Sequence, residues 1–129
     1  MTVEMTHLVW SVALTLVLAV IAVTGAMLQV GLPTLAGKRE NMPEITGWTG
    51  RAARAHRNML ESLVMFAVAI IVAKLVSVSN AMTVLGAMLF FWGRVAHAVI
   101  YIIGIPWLRT AAWAVSIAGL LLILAQLAT

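Results

Sequence analysis

The chain has 129 residues, of which 64% are hydrophobic and only 9% are charged. A soluble domain carries about 25% charged residues, so this composition excludes a soluble globular protein. The net charge of +4 does not indicate nucleic-acid binding, because the cations lie in one segment between helices and inside helices rather than along an exposed strip.

Four long apolar segments predict an all-α integral membrane protein with a single domain, residues 1–129. Each segment is close to the roughly 20 residues that a bilayer requires. The predicted helices cover residues 7–30, 51–75, 81–103 and 107–127. The first contains no charged residue, and Thr6 is its expected cap. Asn80 is the expected cap of the third helix, and residues 31–50, rich in glycine and proline, form the only long connection.

The distribution of lysine and arginine predicts the orientation in the membrane. Cations are enriched on the cytoplasmic side of membrane proteins. One side of the predicted bundle carries Lys38, Arg39, Arg51, Arg54, Arg57 and Arg109. The opposite side carries only Lys74. We therefore expect both termini outside the cytoplasm and the two arginine-bearing connections inside it.

The second helix begins with a cluster of polar residues. Arg54 and Asn58 are four residues apart, as are Arg57 and Glu61, so these side chains lie on the same or adjoining faces. Glu61 lies roughly 10–15 Å from the predicted helix start, where a lone carboxylate is costly and needs a partner. A cluster that only anchors the helix at the interface is the alternative to a binding site. Arg51 is expected to extend towards the lipid headgroups.

The third helix carries a polar stripe on an otherwise apolar surface. Arg94, His97 and Tyr101 follow at i, i+3 and i+7. Arg94 lies about 15 Å from the break at Gly104, where burying an arginine costs at least about 2.5–3.5 kcal/mol. Glu61 is the only acidic residue expected at comparable depth, which predicts an Arg94–Glu61 pair. A purely structural pair and a packed, hydrogen-bonded His97 are the alternatives to a functional site.

Arg109 opens the fourth helix on the same side as these residues. Together they predict a cationic cavity with one carboxylate, which suits an anionic ligand that also carries an ammonium or amide group. The sequence has no metal-ligand spacing, no phosphate-binding loop and no cysteine, so a thiol would have to come from a ligand. The eight methionines and five tryptophans are interpreted as packing residues and interfacial anchors.

Two motifs resemble the MAPEG family, the membrane-associated proteins in eicosanoid and glutathione metabolism. Residues 54–61, Arg-Ala-His-Arg-Asn-Met-Leu-Glu, resemble its Arg-Ala-x-x-Asn-x-x-Glu signature, and residues 93–97, Gly-Arg-Val-Ala-His, followed by Tyr101 resemble its third helix. Pro106 with Arg109 resembles the start of its fourth helix, and the likeness covers most of residues 24–115. It implies a four-transmembrane-helix bundle that assembles as a homotrimer, of the type found in bacteria and therefore in the inner membrane.

The resemblance also implies a function. In the family, glutathione binds between neighbouring subunits in a cavity open to the cytoplasm. Carried over by position, the glutathione-binding residues are Arg54, Asn58, Glu61, Arg94, His97 and Tyr101. Arg109 matches the catalytic arginine that stabilises the glutathione thiolate. The implied activity is that of a glutathione-dependent transferase or peroxidase acting on a lipophilic electrophile. The alternatives are a non-catalytic membrane scaffold or lipid-binding protein and a small multidrug-type transporter.

Overall fold

The computed structural model describes residues 1–129. Five helices follow one another along the chain: α1 (Val3–Val30), α2 (Leu32–Ala36), α3 (Gly47–Leu75), α4 (Ala81–Ile103) and α5 (Pro106–Ala128). Four of them, α1, α3, α4 and α5, are long and apolar enough to cross a membrane, whereas α2 is a short helix inside the first connection. The structure is therefore an all-α bundle of four membrane-length helices, as the sequence predicts.

The first helix begins at Val3 rather than at the predicted His7. Thr2 is its N-cap, because the Thr2 side chain accepts a hydrogen bond from the backbone N–H of Met5 at 3.2 Å. The predicted cap, Thr6, instead lies within the helix and donates its hydroxyl to the Thr2 carbonyl at 2.9 Å. The earlier start places Glu4 in the first turn of α1, so the expectation of an uncharged first helix is wrong.

The third helix also begins earlier than predicted, at Gly47 rather than near Arg51. The end of α1 holds this start in place. The side-chain amide of Gln29 donates to the Thr46 carbonyl at 2.7 Å, and its oxygen accepts from the Thr46 N–H at 3.2 Å. The predicted 20-residue connection is therefore shorter than the glycines and prolines suggested, and α2 occupies part of it.

The bounds of α4 agree with the prediction, and so does its cap. The Asn80 side chain accepts from the N–H groups of Met82 and Thr83, and the Thr83 hydroxyl accepts from the Asn80 N–H in return. At its other end α4 stops at Gly104, whose left-handed backbone (φ 97°) a residue with a side chain rarely adopts. Pro106 then starts α5.

Close packing of α4 on α5 positions the polar stripe of α4. Gly86 and Gly119 face each other so closely that a Cβ at either position would collide with the backbone of the other. Gly93 packs against Ser116 in the same way. Small residues permit this approach, which is a common way for membrane helices to associate. Arg94, the next residue, lies in the interior at 1% exposure.

The two ends of the bundle are named here by their polar residues. The arginine end comprises the end of α1, the starts of α3 and α5 and the end of α4, and the Glu4 end is the opposite one. At the arginine end Arg51 is half-buried, and its Nε donates to the carbonyl of Ile102 at 2.8 Å. Arg51 therefore ties α3 to the end of α4, which corrects the expectation that it extends towards lipid headgroups.

Candidate functional site

A cavity of about 250 Å³ opens between α3, α4 and α5 towards the arginine end of the bundle. We call it the His97 cavity. Asn58 comes from α3, and His97 and Tyr101 come from α4. The residues that line it are Asn58, His97, Tyr101, Arg109, Thr110 and Trp113. Four residues that the sequence predicts for one site, on three different helices, therefore converge here.

Arg94 lies directly behind Asn58. Its Nη2 donates to the Asn58 side-chain oxygen at 2.7 Å, and the residue is only 1% exposed. Its Nε and Nη1 are buried and have no hydrogen-bond partner in the chain. A buried guanidinium with one neutral partner is costly, because neither its charge nor its remaining donors are compensated. The structure thus places a positive charge with free donors beside the cavity.

The predicted Arg94–Glu61 pair is wrong for a single chain. Glu61 is exposed on the outer surface of α3, and Asn58 takes its place as the acceptor for Arg94. The reason lies in the rotation of α3 about its axis. Met59, Ser62 and Phe66 face the core. Glu61 lies about 100° around the helix axis from Ser62 and about 200° from Met59, so its side chain points away from the core.

Arg54 is also outside the His97 cavity. It lies seven residues before Glu61, about 20° away around α3, so the two share one exposed line on that helix. With Arg39 and Arg57, Arg54 borders a separate cavity of about 480 Å³ between α1, α3 and the connection after α1. No acidic residue lines either of the two cavities. The carboxylate predicted inside the cationic site is therefore absent from it within one chain.

Aromatic contacts hold the remaining polar groups in place. The Arg109 guanidinium lies 4.5 Å from the centre of the Tyr101 ring, a cation–π contact, and His97 meets the same ring edge-on at 5.4 Å. His97 is 2% exposed, and its Nδ1 has no hydrogen-bond partner in the chain. The alternative of a packed, hydrogen-bonded His97 therefore does not hold at Nδ1.

Sequence reasoning did not assign Trp113 or Thr110 to the site. Trp113 was interpreted as an interfacial anchor, yet it borders the His97 cavity. A signal was present, because Trp113 follows Arg109 by four residues and so shares its helical face. Thr110 is the next residue after Arg109, and its hydroxyl donates to the Pro106 carbonyl at 3.3 Å. No group of three His, Asp or Glu side chains is arranged to hold a metal ion.

Four membrane-length helices, three of which border the His97 cavity, define an integral membrane protein. The chain belongs to the MAPEG family, whose family model matches residues 5–129. The resemblance seen in residues 54–61 and in the α4 stripe is thereby confirmed, and it extends over nearly the whole chain. No curated protein and no solved structure matches the chain.

Proposed function

We propose that this protein binds glutathione in the His97 cavity and uses it in a transferase or peroxidase reaction with a lipophilic electrophile. One observation carries the proposal. Asn58, His97, Tyr101 and Arg109 meet around one cavity, with the uncompensated charge of Arg94 beside it. Glutathione has two carboxylates, an ammonium group and a thiol, so it offers the anionic groups that such a cavity favours.

Free donors lie on Arg94, directly behind the cavity lining, and on Asn58 within it. Nε and Nη1 of Arg94 are buried without partners, and donors of this kind form charge-assisted hydrogen bonds with carboxylates. The side-chain amide nitrogen of Asn58 is a further donor, because only its oxygen is engaged by Arg94. A bound anion would therefore supply the hydrogen-bond acceptors that the folded chain does not provide for these donors.

The exposed line of Arg54 and Glu61 supports assembly as a homotrimer with the ligand between subunits. Glu61 lies fourteen residues from Gly47 and fourteen from Leu75, near the middle of a membrane-length helix. A carboxylate facing lipid at that depth is costly, so another protein surface is the favourable cover. In the trimer Glu61 would hold the ligand's ammonium group and Arg54 a carboxylate.

Native mass spectrometry from mild detergent should show trimers, and monomers alone would contradict this assembly.

Four of the six cavity residues, together with Arg94 behind them, have a role in the proposed reaction. When bound, glutathione supplies a sulfur nucleophile. Arg109 lies at the start of α5 and lowers the pKa of a thiol placed within about 4–6 Å, because a nearby cation favours the thiolate. The Tyr101 ring holds the Arg109 guanidinium in position, and Arg94 with Asn58 orients the peptide. Trp113, 42% exposed on α5, offers an apolar contact for an electrophile that enters from the bilayer.

The arginine end is proposed to face the cytoplasm of a bacterium, with the protein in the inner membrane. The charge distribution supports this orientation, because only Lys74 lies towards the opposite end. Single cysteines introduced at Thr2 and at Gly37 distinguish the two orientations. A membrane-impermeant thiol reagent should label the first in intact cells and not the second, and the reverse pattern would overturn the orientation.

The thiolate provides the test of the catalytic proposal. Glutathione titrated into the purified protein should show thiolate absorbance at neutral pH. Arg109→Ala should abolish this signal while much of the binding, measured by calorimetry, remains. Lys38→Ala is the matched control, because Lys38 is exposed in the connection after α2 and its loss should change neither quantity. If the unmodified protein does not bind glutathione, the proposal fails. If the thiolate signal survives in Arg109→Ala, the role of Arg109 fails.

A further inference from the structure

A second polar cavity lies at the Glu4 end, on the far side of the bundle from the His97 cavity. It has a volume of about 230 Å³ and is bordered by the start of α1, the end of α3 and the connection that follows α3. Its polar lining residues are Thr2, Glu4, Lys74, Ser77 and Ser79. The proposed glutathione reaction uses none of them, so this cavity requires a separate explanation.

Glu4 is the most buried charged group of this cavity, at 4% exposure. Its Oε2 accepts hydrogen bonds from the hydroxyls of Ser79 at 2.7 Å and Thr83 at 3.4 Å. No side chain of the protein donates to Oε1, and no lysine or arginine forms an ion pair with the carboxylate. A buried carboxylate favours a cationic partner, because hydroxyl donors satisfy its lone pairs but do not neutralise its charge.

Lys74 borders the same cavity without pairing with Glu4. It lies in the last turn of α3, where a flexible side chain reaches the membrane interface. The cavity therefore presents one anionic and one cationic group, each available to a ligand. Ser77, two residues after the end of α3, has a left-handed backbone (φ 59°), and the connection then reaches α1 through the Ser79–Glu4 hydrogen bond. This backbone belongs to an ordinary helix C-terminus, because the Val78 N–H donates to the Ala73 carbonyl at 2.9 Å.

We propose that this cavity binds the headgroup of a phospholipid that carries a primary ammonium group, phosphoethanolamine. The ammonium group donates to Glu4 Oε1 and to the hydroxyls of Ser77 and Ser79, and Lys74 pairs with the phosphate. Helix ends of a membrane bundle lie at headgroup depth, which places the cavity where lipid headgroups are concentrated. Val3, Leu75 and Val76 are 45%, 77% and 58% exposed beside it and offer contacts for acyl chains.

The lining of the cavity distinguishes this headgroup from other common ones. A primary ammonium group has three N–H donors, whereas the trimethylammonium group of phosphocholine has none. Quaternary ammonium groups are recognised by aromatic rings, and no aromatic side chain lines this cavity. A phosphoglycerol headgroup would leave the Glu4 charge unpaired. The cavity therefore selects for the ammonium donors and not merely for a lipid.

Native mass spectrometry of the full-length protein, with lipids of identical acyl chains added in mild detergent, tests the proposal. Phosphatidylethanolamine should bind about tenfold more tightly than phosphatidylcholine, the factor expected for one charge-assisted hydrogen bond. Glu4→Gln should remove this preference, since glutamine still accepts from Ser79 and Thr83 but carries no charge. Lys74→Gln should weaken the binding of both lipids and leave their ratio unchanged. Equal binding of the two lipids to the unmodified protein overturns the proposal.

Matched controls lie in the connection between α2 and α3, where Lys38 and Glu44 are both exposed. Glu44→Gln and Lys38→Gln make the same charge changes away from the cavity and should leave the lipid preference intact. A preference that persists in Glu4→Gln contradicts the role of Glu4. A final experiment measures the binding of soluble phosphoethanolamine. If it binds with the same dependence on Glu4 and phosphatidylethanolamine does not displace it, the ligand is a free metabolite and the lipid assignment is wrong.

Discussion

At the Glu4 end, buried polar side chains find partners within the same chain. Ser79 and Thr83 donate to Glu4, and the nearby Asn80 side chain donates to Gln126 at 3.0 Å, so the starts of α1 and α4 and the end of α5 are tied together. At the arginine end the opposite holds. The side-chain atoms that are buried without partners are Thr49 Oγ1, Arg94 Nε, Arg94 Nη1 and His97 Nδ1, all in that half of the bundle. The Glu4 end thus satisfies its buried hydroxyl donors by folding and leaves one carboxylate charge for a ligand, whereas the arginine end leaves buried side-chain atoms without any partner in the chain.

Arg94→Met should give the largest effect, because it removes the charge around which the arginine end is arranged. Truncating one partner of a buried charged pair costs about 2–5 kcal/mol in binding, so glutathione affinity should fall about a hundredfold. The temperature of unfolding should stay the same or rise, because an apolar side chain of similar length replaces an uncompensated buried charge. Calorimetry with glutathione and thermal unfolding in the same detergent measure both quantities. Lower stability with unchanged affinity would show that Arg94 stabilises the fold and does not contribute to glutathione binding.

Glu4→Ala should show the converse behaviour at the other end. The variant leaves the Ser79 hydroxyl without its acceptor, whereas the Thr83 hydroxyl keeps the Asn80 carbonyl at 3.0 Å, so the free energy of unfolding should fall by about 1 kcal/mol. Glutathione affinity should not change, because the His97 cavity lies at the other end of the bundle. Glu44→Ala removes an exposed carboxylate and serves as the control. A loss of glutathione binding in Glu4→Ala would show that the two ends are coupled.

Tyr101→Leu should have the smallest effect, and it tests whether the Tyr101 ring holds the Arg109 guanidinium in position. A cation–π contact at a partly exposed site contributes about 0.5–1 kcal/mol, so Arg109 should be held less firmly and the thiolate fraction of bound glutathione should fall about two- to fivefold. Tyr101→Phe keeps the ring and should retain the signal. Equal losses in both variants would assign the effect to the phenolic hydroxyl instead. Thiolate absorbance at neutral pH is the measurement.

Much of the fold could be predicted because membrane helices are determined by local composition. The α4 bounds agree with the prediction, and Asn80 caps that helix as expected. The errors occur at helix starts. Val3 and Gly47 begin α1 and α3 because the side chains of Thr2 and Gln29 hold the first turns. Gln29 acts from the end of the preceding transmembrane helix, and local sequence does not reveal such a contact.

The class of protein, the number of spanning helices and the family follow from the amino-acid sequence, and four of the seven predicted site residues line one cavity. Only the tertiary structure decided that Arg94 bonds to Asn58 rather than to Glu61, and that Glu4 is buried. The physical reason is the rotation of each helix about its axis. After Glu61 the exposed positions of α3 are as apolar as the buried ones, for example Val64 and Val68 beside Phe66. A membrane helix without an amphipathic period does not indicate its inward face, and packing between helices selects it.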